Sequence, residues 1–175
     1  MPCRASIRQG DGLDRARKIV GMTGVMIRAA KSGDEAEVAA MMALLWPDGT
    51  VEEHRREATV VVRSGMSGTL PGAILLALDP GATPVGFLQV GLRSHADGCD
   101  TSRPVGFIEG WLVRDRFRGQ GIGSALVRAA EDWSRERGCL EMASDALIEN
   151  EESQRAHEAL GFDVVDRCVH FRKRL

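Results

Sequence analysis

Apolar positions recur along the chain with two different spacings. In DEAEVAAMMALLW, Val38, Met41, Met42 and Leu45 stand three and four residues apart, which is one face of a helix. A second helix, VEEHRREATVVVR, follows from Val51, and Thr50 with Glu53 has the S/T-x-x-E spacing of a capping box at its start. AILLALD and PVGFLQVGLR are β-rich runs, and the turn-forming PGAT between them makes them a hairpin. After SHADGCDTSR comes PVGFIEGWLV, a long strand interrupted by Gly110, where a bulge is expected. SALVRAAEDWSRERG is amphipathic and ends at Gly138, and CLEMASD reads as a buried strand. Asn150 is placed to cap a further helix, EESQRAHEAL, which Gly161 ends. VMIRAA opens the ordered pattern as a first strand, and FDVVDRCVHFRKRL closes it with strand character. The order β-α-α-β-β-β-α-β-α-β predicts an α/β (α+β) fold: a mixed sheet with helices packed on it. Residues 1–24 are polar and Gly-rich without periodicity and read as an N-terminal extension to a single domain over 25–175.

Composition narrows the function. The chain has 175 residues, room for one domain, with 43% hydrophobic and 27% charged residues, as in ordinary globular proteins. A net charge of −2 argues against nucleic-acid binding, which calls for a basic face. No apolar run approaches the roughly 20 residues of a membrane helix, so no membrane association is expected. Ile19, Val20 and Met22 stand nearly alone, too few for a signal peptide, and the expected location is the cytoplasm. Cys3, Cys99, Cys139 and Cys168 form no C-x-x-C pair, so no metal site is expected and reduced thiols are the default. Cys99 and Cys139 read as packing residues, and His54 and His170, lacking a partner motif, as surface or strand residues.

Candidate chemistry concentrates in RFRGQGIGSAL, Arg116 to Leu126. Glycine is unfavourable inside a helix, yet Gly119, Gly121 and Gly123 stand at the front of one. A helix N-terminus preceded by glycine exposes unpaired N–H groups and the positive end of the helix dipole, which together favour an anion. Arg114, Arg116 and Arg118 add positive charge beside it. A tight strand-to-helix connection without ligand is the bland alternative, but three glycines exceed what a turn needs. The dinucleotide fingerprint G-x-G-x-x-G fails because Ser124 stands where the third glycine should be, and the P-loop fails because no Gly-Lys-Ser/Thr follows.

The pattern Arg118-x-x-Gly121-x-Gly123 resembles the signature of the GNAT superfamily of acyl-CoA-dependent N-acetyltransferases, and the flanking elements match as far as ALGF, Ala159 to Phe162. The resemblance runs from about Val25 to the C-terminus. It implies a GNAT-like fold with acetyl-CoA as cosubstrate, whose pyrophosphate lies on the loop Arg118, Gly119, Gln120, Gly121, Ile122, Gly123 and Ser124. Trp111, Leu112 and Val113 would contact the acetyl end and Asn150 the pantetheine arm. The words LWP, GCD, EMASD, ALGF and FRKR are similar to one branch, the bacterial aminoglycoside 6'-N-acetyltransferases of antibiotic resistance. That branch implies acidic acceptor contacts at Glu109, Asp145 and Asp166, an aromatic wall at Trp46 and a homodimer. Two positions depart from it: Gly49 stands where a histidine is expected, and His95 where a tyrosine would stack on a sugar.

The chemistry asks for the same residues. Acetyl transfer needs a polarised thioester carbonyl, which backbone N–H groups near Trp111 to Val113 can supply. It also needs a neutral amine, so a carboxylate, Glu109 or Asp145, must attract the ammonium and accept its proton. Salt-bridge partners in a polar rim are the plainer role for both acids. Many GNAT enzymes place a tyrosine four residues before the glycine of LGF to help the thiolate leave; this chain has no tyrosine, and His157 stands there. His157 is thus a candidate auxiliary acid or a half-buried helix histidine, and Trp46 a cleft wall or a core anchor. Rival functions are acetylation of another small amine, a polyamine or a protein N-terminus, and a non-catalytic CoA-binding sensor.

Overall fold

The last seven residues of one long strand, Gly72 to Leu78, are all buried because both faces of the sheet are covered. The computed structural model describes residues 24–175; the expected extension lies, apart from Gly24, outside the described residues. Along the chain stand β1 (Met26–Ala29), α1 (Glu35–Leu45), α2 (Val51–Ser64), β2 (Met66–Ser67), β3 (Leu70–Leu78), β4 (Pro84–Arg93), β5 (Val105–Val113), a 3-10 turn (Asp115–Phe117), α3 (Ile122–Arg135), β6 (Met142–Ser144) and α4 (Glu151–Glu158). The sheet order is β1-β3-β4-β5-β6, with β2 hydrogen-bonded to β3 off this path. All pairs are antiparallel except β5 with β6, which is parallel. The mixed sheet expected from the sequence is therefore present.

Side chains alternate across the strands into two cores. Leu75, Ala77, Leu88, Val90 and Ile108 meet Ile122, Leu126, Ala130 and Trp133 of α3. On the opposite face Ile74, Leu76 and Phe87 meet Val38, Met41 and Met42 of α1 and Ala58 and Val61 of α2. The helical stripe read from α1 is this buried face. The capping box is formed: Thr50 accepts from the Glu53 amide, and the Glu53 carboxylate accepts from the Thr50 amide at 2.8 Å. Asn150 Oδ1 accepts from the Ser153 amide at 3.0 Å and starts α4. Cys139 is buried and Cys99 half-buried, and loss of water pushes both thiols up from their usual range, as packing residues require.

Three expectations need correction. The bulge lies at Glu109, one residue before Gly110, because Gln89 pairs with Gly110 while Val90 pairs with Ile108. FDVVDRCVHFRKRL forms no strand; residues 163–175 carry no regular structure, and Val164, Val165, Val169 and Phe171 are exposed. β6 is only three residues long and offers that segment little ladder to join. His54, read as a surface or strand residue, is 7% exposed on α2, and its Nε2–H donates to the Trp46 carbonyl at 3.0 Å.

Candidate functional site

Two neighbouring parallel strands part company at one edge of the sheet. β5 pairs with β6 from Gly106–Met142 to Ile108–Ser144, and β5 then continues to Val113 alongside β4 alone. The next residues beyond the last pair are Glu109, which is the bulge, and Asp145. Two carboxylates therefore flank the mouth of the fork, on the strand ends where the sequence places them. Register across three strands puts them there.

The two acids are not equivalent. Glu109 is gripped by Arg93, with Nη2 2.7 Å from Oε2 and Nε 3.2 Å from Oε1, and the Arg93 guanidinium lies 3.2 Å from the centroid of the Phe107 ring. Asp145 is exposed and has no hydrogen bond or ion pair among the described residues. The plainer role, a salt-bridge partner, thus holds for Glu109 and not for Asp145. Asp166 stands in the exposed C-terminal segment, where it accepts from the Arg167 amide at 2.6 Å, and His95 is an exposed ring 3.6 Å from Asp97 Oδ1. Neither is brought to the fork by a contact among the described residues.

The glycine loop follows β5 and the 3-10 turn and leads into α3. Gly119 and Gly121 adopt left-handed backbone, φ 72° and 76°, and a Cβ on either would meet nothing within 4 Å. Gly121 is the N-cap of α3 and contributes no side-chain cap, and the first helical bond runs from Ala125 N to Gly121 O at 3.0 Å. The amides of Ile122, Gly123 and Ser124 accordingly lack intrahelical acceptors, as an anion-binding helix end requires. Gly123 has a different reason to be glycine: a Cβ there would come within 2.6 Å of Trp111 Cζ2.

Arg118 is committed to the protein. Its Nε donates to the Val113 carbonyl at 3.1 Å, Nη1 meets Glu152 of α4 at 3.1 Å, and Nη2 meets Asp115 at 3.2 Å. It ties the end of β5 to α4 across the loop. Gln120 likewise donates back to the Arg116 carbonyl at 3.3 Å. A cleft of about 630 Å³ opens beside this loop, lined by Leu44, Leu112, Val113, Arg114, Asp115, Arg116 and Arg118, three cations to one acid. Its arginine-rich wall suits a polyanion.

Trp46 ends α1 with its ring over the sheet; a Cβ on Gly110 would fall 2.4 Å from Cη2, and the ring packs edge-on against Phe87 at 6.3 Å. Gly49 is small because the His54 ring fills the space above it, 2.7 Å from where a Cβ would stand. Trp111 packs edge-on against His157, ring centroids 5.6 Å apart, and its buried Nε1–H has no acceptor. His157 Nδ1 lies 2.7 Å from the Ser153 carbonyl and Nε2 3.0 Å from Ser144 Oγ, so both ring nitrogens are engaged by the protein. A carbonyl only accepts, which puts a proton on Nδ1 and leaves Nε2 of the neutral ring to accept from the serine hydroxyl.

Sequence reasoning missed three residues here. His54 had a readable signal, since His54, Ala58 and Val61 are spaced four and three apart on the buried face of α2. Arg93 and Ser144 had none, because their partners lie on other elements.

Comparison with known proteins gives the arrangement its relatives. The sequence pattern of the Acetyltransferase (GNAT) family matches residues 38–162. The aminoglycoside N(6')-acetyltransferase type 1 of Klebsiella aerogenes is 41% identical over 152 residues, 86% of this chain and 97% of the relative. The protein of that name from Stenotrophomonas maltophilia is 38% identical over 147 residues, 83% and 91% of the two chains. Among solved structures, AAC(6')-Iy in complex with the bisubstrate analogue CoA-S-monomethyl-acetylneamine matches with a TM-score of 0.77 at 31% identity, covering 86% of this chain and 99% of that one. AAC(6')-Ih from Acinetobacter baumannii matches with a TM-score of 0.76 at 30% identity, covering 87% and 99%.

Proposed function

The chain belongs to the GNAT family of acetyltransferases, and from that premise we propose that it moves the acetyl group of acetyl-CoA to the 6'-amine of an aminoglycoside. The observation that carries the acceptor is the pair of carboxylates just beyond the last β5–β6 pair, Glu109 held only by the half-exposed Arg93 and Asp145 without an ion pair among the described residues. Relatives over most of the chain are named for this activity, and one solved relative is in complex with a bisubstrate analogue, CoA-S-monomethyl-acetylneamine.

The cosubstrate fits the loop. The amides of Ile122, Gly123 and Ser124 receive the pyrophosphate, with Gly119 and Gly121 leaving open space for it and Gln120 holding the loop's shape. Arg118 acts by fixing that loop against α4. The thioester lies along the uncovered edge of β5, where backbone N–H groups near Trp111, Leu112 and Val113 polarise its carbonyl. Asn150 caps α4 with Oδ1, so its contribution to the pantetheine arm comes from its amide nitrogen and from the helix start it holds. Asp145 attracts the acceptor ammonium, and Glu109, once an ammonium displaces Arg93, takes the proton that attack releases. Trp46 and His95 border the acceptor side, and Asp166 adds a third acid from the C-terminal segment.

We place the enzyme in the cytoplasm, where acetyl-CoA is made and where the free thiols Cys99, Cys139 and Cys168 stay reduced. A homodimer would cover Val164, Val165, Val169 and Phe171, which are exposed in the single chain. Residues 1–24 stand outside the catalytic domain; a chain beginning at Val25 should fold and keep its rate. The test of the function is a screen of aminoglycosides with acetyl-CoA, followed by the thiol released and by the site of acetylation. Thiol release with 6'-amino compounds, absent with their 6'-hydroxyl counterparts, is the expected result. No release with any aminoglycoside, by protein that binds coenzyme A, would overturn it.

A further inference from the structure

Ser144 is the last paired residue of β6, half-buried, at the point where the fork opens. Its Oγ is 3.0 Å from His157 Nε2 and 3.5 Å from the Ile108 carbonyl, so the imidazole is its one short partner. The histidine is oriented from three sides: Nδ1–H donates to the Ser153 carbonyl at 2.7 Å, and Trp111 and Phe162 pack edge-on at 5.6 and 5.3 Å. A base held by a third group, aimed at a hydroxyl, is the geometry of a proton relay. It also removes His157 from direct contact with ligand, since Nε2 points at Ser144.

We propose that Ser144 is the group that meets the coenzyme A sulfur and passes it a proton drawn from His157. This rests on acetyl transfer taking place at the fork. In the neutral ring Nε2 carries no hydrogen, and the serine proton is turned toward it. In the imidazolium Nε2–H donates to Oγ, and the serine hydrogen, with only the distant Ile108 carbonyl left, is free to point into the fork. When the C–S bond of the tetrahedral intermediate breaks, its electron pair leaves on sulfur. Sulfur takes the Ser144 hydrogen, Oγ takes the Nε2 hydrogen, and the neutral imidazole keeps Nδ1–H on Ser153. Solvent then returns a proton to Nε2, which balances the proton the amine gave up.

The groups that contact His157, namely Ser153 of α4, Ser144 of β6, Trp111 of β5 and Phe162, are all uncharged. The titratable neighbours along the chain are Asp145 beside Ser144 and Glu158 beside His157, while Glu152 on the same helix is paired with Arg118. The proton that the relay delivers is the Nε2 proton of the imidazolium, so the relay needs the doubly protonated ring.

Two measurements on the full chain test the relay. In the first, kcat is followed against pH. Ser144→Ala and His157→Ala should each lower kcat about tenfold, less than a full general acid supplies, because a thiolate leaves readily. Both should also lose the limb that falls on the alkaline side, and Ser144→Thr, which keeps the hydroxyl, should restore it. In the second, the Nε2 resonance of nitrogen-15-labelled His157 is observed without turnover. Coenzyme A should shift it in wild type and in Ser144→Thr, while desulfo-coenzyme A and Ser144→Ala should not reproduce the shift. A Ser144→Ala variant with unchanged limb and kcat within about twofold of wild type, or equal shifts from the two coenzymes, would overturn the proposal. The resonance test uses no acceptor, so it separates failure of the relay from failure of the aminoglycoside assignment.

Discussion

Arg93 holds both carboxylate oxygens of Glu109, Nη2 to Oε2 at 2.7 Å and Nε to Oε1 at 3.2 Å. The acid that acceptor chemistry asks for is thus occupied by an internal cation. The two side chains retain 40% and 24% of their exposure, so water screens the pair and its net worth is about 0–1 kcal/mol. A polycation bringing several ammonium groups can displace it.

Removing the internal cation should therefore help the acceptor. Arg93→Met keeps a flexible stem over Phe107 and frees Glu109, and acceptor KM should fall by up to about fivefold, the measure of an exposed ion pair. Glu109→Gln should raise acceptor KM about tenfold or more, because a charge-assisted contact is lost. Steady-state constants for both variants decide the matter, and an unchanged KM in Glu109→Gln would show that the acceptor never reaches this carboxylate.

The two helix-start glycines should fail in different ways. Gly123→Ala drives a methyl to within 2.6 Å of Trp111 Cζ2, and overpacking of this kind costs about 1–3 kcal/mol. A thermal melt should fall by about 2–4 °C for each kcal/mol. Gly121→Val meets open space but sits at φ 76°, so the fold loses about 1–2 kcal/mol of backbone energy while the branched side chain blocks the loop. Calorimetric titration should find coenzyme A binding abolished in folded Gly121→Val. Retained affinity would move the pyrophosphate elsewhere.

Arg118 makes three contacts from one planar fork, and a lysine cannot replace them. Arg118→Lys should weaken coenzyme A binding about as much as Arg118→Ala. Glu152→Gln, which leaves the charge of the loop arginine in place, should weaken binding in the same direction. If Arg118→Lys binds like wild type, the residue acts as a simple point charge.

Acid stability should depend on Asp34. This carboxylate receives Arg28 at 2.6 and 2.9 Å and the Lys31 amide at 2.8 Å. Hydrogen bonding from Arg28 above all, and then from the Lys31 amide, outweighs burial and holds its pKa below the usual value. A depressed folded pKa stabilises the protein above the unfolded value of about 3.9 and loses that stability as pH falls through the folded one. Asp34→Asn should cost about 1–3 kcal/mol at neutral pH, and its stability should converge on that of wild type in strong acid. A constant difference down to the lowest pH at which both fold would assign the loss to packing.

Features that depend on neighbours a few residues apart were legible in the residue order. The Thr50–Glu53 box, the Asn150 cap, the apolar stripe of α1 and the hairpin through PGAT are all relationships of local spacing, and each is present as read. The glycine loop was legible for the same reason, since bare amides at a helix start follow from the order of residues alone. Register across strands was decided only in three dimensions. Placing the bulge at Glu109 instead of Gly110 required the hydrogen-bonded partners of β4, and it brings Glu109 to Arg93, sixteen residues back along the chain. Ser144 at the end of β6 and His157 on α4 meet at 3.0 Å, and neither side chain carries that information within its own segment. FDVVDRCVHFRKRL has strand character but forms no strand, because strand character becomes a strand only where a partner edge accepts its hydrogen bonds.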